Sequence, residues 1–301
     1  MRERLEYLTA WAGLKLLGIL PRRLARFLGA RFARIIYTLQ PRLRRIALVN
    51  LQIAFPDWTV EQRQRVIRGM VRQIGWMIGE FSQFPKYTPA NIEQLVVIDG
   101  SENFAAAQER GKGVLFLTGH MGAWELAPFA HALYGHPLHF LVRPIKNPRV
   151  DALINGFRCL SGNQPIDKNR AARAMLKVLA DGGTIGILAD HNTSLDEGVF
   201  VDFFGLPAST TSGLARIALR TDAPVVPGFL CWDESAQKYR LQFGPAVELV
   251  RSGNENEDVR ANTQRFTRII EEYVRAHPEQ WVWIHKRWKT RPPGEKSIYQ
   301  A

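Results

Sequence analysis

What this chain lacks narrows it first. It has two cysteines in 301 residues, Cys159 and Cys231, far apart and with no histidine pair beside either. That spacing gives neither a disulfide framework nor a zinc site, and it fits a reducing compartment. There is no run of about 20 apolar residues, the length that spans a bilayer as a helix. The longest candidate, Leu8 to Leu20, carries Gly13, Lys15 and Gly18 and is stopped by Pro21. No A-x-A-like site follows it, and Arg22-Arg23 stand where one would be, so a cleaved signal peptide is not the reading. The segment is expected to be an uncleaved anchor or a helix lying in the membrane interface. Internal repeats, low-complexity tracts and interdomain linkers are absent. So is a G-x-S-x-G nucleophile elbow, which argues against a serine hydrolase of lipid esters.

Acidic residues are also scarce, 28 against 40 Lys and Arg, leaving a net charge of +12. A folded protein so basic suits an anionic partner: nucleic acid, anionic lipid or an acidic carrier protein. Residues 1–50 hold eleven of the basic residues against only Glu3 and Glu6, a net +9, so the rest of the chain is mildly basic. From Arg22 to Tyr37, arginines alternate with Leu24, Phe27, Leu28, Phe32, Ile35 and Ile36. The pattern is a basic amphipathic helix, suited to anionic headgroups; its alternative is a core-packing helix with a solvated basic face. Nothing resembles a nucleic-acid-binding motif, so no nucleic-acid partner is expected.

The 46% hydrophobic content supports one large folded unit with an appended segment. The expected divisions are 1–40, anchoring and basic helices; 41–90, a helical segment packing on the core; and 91–301, the catalytic body. Pro41 to Phe55 is a short helix, and Thr59 caps a long one over Val60 to Phe81. Beyond residue 90, strands over 96–98, 114–117, 138–142, 184–189, 225–231, 239–243 and 246–250 alternate with helices. Those helices are Ser101 to Glu109, capped by Ser101; Trp124 to Tyr134; Pro148 to Leu160; Ala171 to Ala180, capped by Asn169; Gly213 to Arg220; and Val259 to Arg275. Alternation of this kind predicts an α/β fold with a mostly parallel central sheet and helices on both faces.

The chemistry concentrates at Gly113 to Leu126, G-V-L-F-L-T-G-H-M-G-A-W-E-L. Val114 to Leu117 is a buried strand, and His120 and Glu125 follow at its carboxyl end, where open α/β sheets bind ligands. Positions i and i+5 do not share a helix face, so His120 must precede the helix if Glu125 is to reach its ring. A histidine held by a carboxylate on one nitrogen offers the other as a base. No serine or cysteine stands in the motif. The direct reading is that His120 deprotonates an acceptor hydroxyl, which attacks an activated acyl carbonyl, while Glu125 orients the imidazole.

G-H-M-G-A-W-E-L resembles the H-x4-D/E block of the glycerolipid acyltransferase superfamily, in the form found in the lipid A biosynthesis late acyltransferases of Gram-negative bacteria. Further blocks resemble that family in order: R-x-x-L-x-N-L-x-x-A-F-P around Asn50, L-V-R-P-I-K-N-P from Leu141, D-H-N-T-S-L-D-E-G-V-F-V-D-F-F-G from Asp190, A-P-V-V-P from Ala223, and Pro278 to Trp288. The resemblance implies active-site roles for Arg158 and Arg143, as clamps for a phosphate or for charge on a tetrahedral intermediate. It also suggests acceptor binding by Asp190 and an acyl path lined by Phe203 and Phe204, although such phenylalanines are equally ordinary core residues. The tryptophans of the last block suit a membrane interface or packing against the sheet.

The same resemblance implies transfer of a fatty acyl chain from acyl carrier protein, rather than coenzyme A, to a lipid A precursor. It places the protein on the cytoplasmic face of a bacterial inner membrane and calls for no cofactor. His191 beside Asp190 tempts a metal reading, but with no second histidine at ligand spacing no metal is expected. A relative acting on another lipid, or a non-catalytic basic lipid-binding protein, would carry the same blocks.

Overall fold

A computed structural model describes residues 1–167 and 171–299, so the Asn169 cap lies outside the described residues. Four α-helices precede the first strand: α1 (Arg2–Ile19), α2 (Arg22–Leu39), α3 (Pro41–Ala54) and α4 (Val60–Gln83). Pro41 opens α3 at a first-turn position where its missing N–H costs nothing. Thr59 caps α4 with a full capping box: its hydroxyl accepts from the Gln62 N–H at 3.2 Å, and Gln62 Oε1 accepts from the Thr59 N–H at 2.7 Å.

No described helix is long and apolar enough to cross a membrane. Instead, α1 exposes Leu5, Leu8, Leu16 and Ile19, and α2 exposes Phe27, Phe32, Ile35 and Leu39. Helix α2 packs on the core along one side and leaves the side with those apolar residues and Arg23, Arg31 and Arg34 exposed. Its Ala25, Arg26, Gly29 and Ala33 are buried against α4. The Arg26 guanidinium lies 3.7 Å from the Trp76 ring centre and 4.1 Å from that of Trp232, while fully buried Glu80 pairs with Arg22 at 2.7 Å.

The strands are β1 (Val96–Asp99), β2 (Val114–Thr118), β3 (His139–Val142), β4 (Gln164–Asp167), β5 (Thr184–Leu188), β6 (Gly198–Phe203), β7 (Leu206–Thr211), β8 (Val225–Asp233) and β9 (Lys238–Phe243). Seven form one sheet, ordered β1-β9-β8-β2-β5-β3-β4, in which only β8 and β9 pair antiparallel. Successive residues of β2 face opposite cores. Val114 and Phe116 point toward α5 (Ser101–Gln108), α6 (Leu126–Leu133) and α7 (Pro148–Cys159). Leu115 and Leu117 point toward α8 (Ala171–Ala180), α9 (Gly213–Thr221) and α10 (Glu255–Ala276). The mostly parallel sheet with helices on both faces is thus present.

Several details differ from the sequence reading. The residue capping α5 is Gly100, in the left-handed region, and not Ser101. Ala246 to Val250 forms no strand, although the Val247 N–H reaches the Val225 carbonyl at 2.8 Å. Strand β4 was not anticipated because it is short and contains Pro165, which an edge position tolerates. The end of the Asp190 block is also more than a polar loop. It folds into the β6–β7 hairpin, turned by Phe204 and Gly205, both at positive φ as a two-residue turn requires.

Candidate active site

Seven residues, Gly119 to Glu125, carry the chain from β2 into α6. Gly122 has φ +54°, and a Cβ there would stand 2.0 Å from the Leu230 carbonyl oxygen of β8, so only glycine fits. The Gly122 N–H donates to the Gln280 carbonyl at 2.8 Å, and Met121 bridges to Trp281. These contacts fix His120 at the carboxyl edge of the sheet, before the helix.

Strand β5 lies beside β2, with Thr118 opposite Leu188, and delivers Asp190 to the same edge. Asp190 is 1% exposed. Its Oδ1 meets His120 Nδ1 at 2.8 Å, and its Oδ2 accepts from the His120 backbone N–H and the Trp281 indole N–H, each at 2.8 Å. Burial opposes its ionisation, but the contacts with His120, joined by His191, outweigh that and hold its pKa below the ordinary carboxylate range. An ionised carboxylate only accepts, so the network assigns the proton to Nδ1 and leaves Nε2 as the nitrogen that can meet a substrate.

The carboxylate that orients His120 is therefore Asp190, and the expectation that Glu125 steadies the ring is corrected. Glu125 sits at the start of α6, and its side chain turns to α7. There it takes Arg158 bidentately, from Nε at 2.8 Å and Nη2 at 2.5 Å. A two-pronged charge-assisted pair outcompetes a single imidazole N–H. Two further expectations change with it. Asp190 is buried, with both oxygens taken by His120 and Trp281, and does not stand open to bind an acceptor hydroxyl. Arg158, with Nη1 on Asn155 at 3.2 Å, is engaged within the protein and does not stand as an open phosphate clamp. Arg143 is exposed and, among the described residues, has no ion pair.

His120, Glu125, Arg143 and Arg158 border a cavity of about 280 Å³ on the α5–α7 side of the sheet. Its walls are apolar, Phe116, Phe140, Leu138, Leu188 and Phe243 among them, and its lining holds no serine or cysteine. Phe203 and Phe204 do not line it. They are 1% and 6% exposed in the core on the opposite face, against Trp281, Trp283 and Trp288, because the hairpin packs on α10 and the carboxyl-terminal segment. Those three tryptophans are themselves buried, which settles them as packing residues. Arg287 ties the segment to β7 through the Ser209 carbonyl at 2.8 Å and the Thr210 hydroxyl at 2.5 Å.

Sequence reasoning gives no place in the hydrogen-bonded and stacked group around His120 to three residues. Trp281 holds Asp190 from ninety-one positions away. His191 stacks on His120 with ring centres 3.6 Å apart and planes 4° from parallel, and His285 stacks on His191 at 3.9 Å. Burial pushes the pKa of His191 down to about 3 and that of His285 to about 4, so both are neutral at cellular pH. His191, next to Asp190, was the one available signal. Ligand atoms of His120, Asp190 and His191 come within 4.8 Å of one another. Stacked rings, however, send their in-plane lone pairs along parallel directions rather than to one point about 2.0–2.1 Å from each nitrogen, as a shared ion needs.

Comparisons with known proteins agree with one another. The family model described as bacterial lipid A biosynthesis acyltransferase matches residues 2–290. A lipid A biosynthesis acyltransferase of Haemophilus influenzae is 29% identical over 96% of this chain and 90% of its own length. From Escherichia coli, a lipid A biosynthesis palmitoleoyltransferase is 26% identical and a lauroyltransferase 24%, each over 98% of this chain and 95% of the relative.

Proposed function

Because this chain belongs to the bacterial lipid A biosynthesis acyltransferase family and is an acyltransferase, we propose that it moves a fatty acyl chain from an acyl thioester to a hydroxyl of a lipid A precursor. The observation that carries this reading is a histidine with a buried carboxylate on Nδ1, at the mouth of an apolar cavity that offers no nucleophilic serine or cysteine.

In this mechanism the acceptor hydroxyl gives its proton to His120 Nε2 as its oxygen bonds to the thioester carbonyl carbon. The C–O π pair moves to oxygen, forming a tetrahedral intermediate. Asp190 stabilises the imidazolium across the Nδ1–H bond. The intermediate collapses, the C–S bond breaks, and the leaving thiolate takes the proton back from Nε2. Ester and free thiol are the products, with no covalent enzyme intermediate. Glu125 and Arg158 act as a paired unit that shapes the mouth. Arg143 is the exposed cation there and suits a phosphate of donor or acceptor.

The relatives' names specify fatty acyl groups, which fits an acyl chain lodged in the cavity. Acyl carrier protein is the donor that best suits the basic surface. The exposed apolar and arginine rows of α1 and α2 suit docking on the anionic cytoplasmic face of the inner membrane. The test is transfer of a labelled acyl group from carrier-bound and coenzyme A thioesters to a lipid A precursor, with phospholipid as competing acceptor. Acylated precursor, formed faster from the carrier, is the expected product. Acyl release to water alone, or transfer to phospholipid alone, would contradict the reading.

A further inference from the structure

We propose that Gly186 sets the length of the acyl chain this protein accepts. The inference rests on the acyl-transfer reading above and adds the specificity-determining residue.

Across three adjacent strands, Phe116 of β2, Gly186 of β5 and Phe140 of β3 stand side by side in register, and all three line the cavity. Between the two aromatic side chains the missing side chain leaves a notch one strand wide. A glycine in a central strand is normally explained by a backbone or ligand that comes too close for a Cβ. No backbone does so here. A Cβ at Gly186 would meet only Leu138 Cδ1 at 3.6 Å and the His139 carbonyl oxygen at 3.9 Å, both ordinary contacts. What the absent side chain leaves open is the cavity itself, and Leu138 lies beyond it, at the end of the sheet away from His120.

The cavity runs from His120 at the carboxyl edge of the sheet to Leu138 at its amino end, so an acyl chain whose carbonyl carbon stands at Nε2 passes the Gly186 notch before its tip meets Leu138.

The test is competition among saturated acyl thioesters from octanoyl to palmitoyl, using the full-length protein and a lipid A precursor. Gly186→Val should move the preference to chains at least two carbons shorter than the wild type's and change the ratio of the two transfer rates at least ten-fold, the scale of a pocket discriminating by methylene groups. Leu138→Ala, which lengthens the cavity instead of filling it, should move the preference toward chains longer than the wild type's. Active variants with the wild-type preference would overturn the assignment of Gly186. Wild type that transfers no acyl group from any thioester would instead overturn the acyl-transfer reading, and this inference with it.

Discussion

His120 and Glu125 stand out in the sequence because they sit together at the end of a strand, and the short spacing invites pairing them. The structure pairs each with a distant residue instead. His120 takes Asp190, seventy positions on, because β5 lies beside β2; Glu125 takes Arg158 from α7. Both partners were singled out as site residues, but which would meet which is a property of strand order, which periodicity does not encode. The buried histidines were less legible still, since burial, not sequence, removes their charge. His131 and His191 are pushed to about 3 and His285 to about 4, below the ordinary 6.5. The unfolded chain therefore binds these protons first. The stability they confer is full above about pH 6.5 and falls as pH drops toward the folded values, by up to about 1.4 kcal/mol per pH unit for each histidine. Urea midpoints should thus decline between pH 6.5 and 4.5, above the range where Asp190 titrates. His131→Phe, which keeps an aromatic ring among Phe104, Phe116 and Phe243, should decline less steeply. Equal slopes would show that His131 does not resist protonation.

Among the elements, α4 was readable to within two residues, because Thr59 and the apolar spacing from Val66 to Phe81 mark its course. What it packs against was not. Helix α2 crosses it at glycines: a Cβ on Gly75 would stand 2.4 Å from Ala30 Cα, and one on Gly29 would stand 2.2 Å from the Gly75 carbonyl oxygen. Backbone, not a flexible side chain, would have to yield. Gly75→Ala is expected to cost about 1–3 kcal/mol or more in urea unfolding, as overpacking does; a neutral result would mean the helices do not approach so closely. The β6–β7 hairpin escaped notice for a different reason. Its turn is Phe204-Gly205, with an aromatic residue at φ 55° in place of the usual Asn or Asp.

On the scale of the whole molecule, alternation of strands and helices announced the α/β class, while the antiparallel β8–β9 pair and the two-sided role of α2 came only with the structure. The basic charge of residues 1–50 is displayed where α1 and α2 leave apolar side chains uncovered, and Arg23, Arg31 and Arg34 are all exposed there. Each basic residue near an anionic surface contributes about 1 kcal/mol. Reversing the three to glutamate should therefore weaken binding to anionic vesicles by at least a hundred-fold at low salt and leave binding to neutral vesicles little changed. Unchanged affinity for anionic vesicles would place the docking face elsewhere. Sheet order, the Gly122 turn and the carboxyl-terminal tryptophans all converge on one contact, the buried Asp190 carboxylate on His120. A double-mutant cycle on acyl-transfer rate tests it most directly. If the two residues act as one unit, Asp190→Asn alone should lower turnover by about 10³–10⁴-fold, and adding it to His120→Ala should lower the residual rate no further. Independent, multiplying losses would contradict the account.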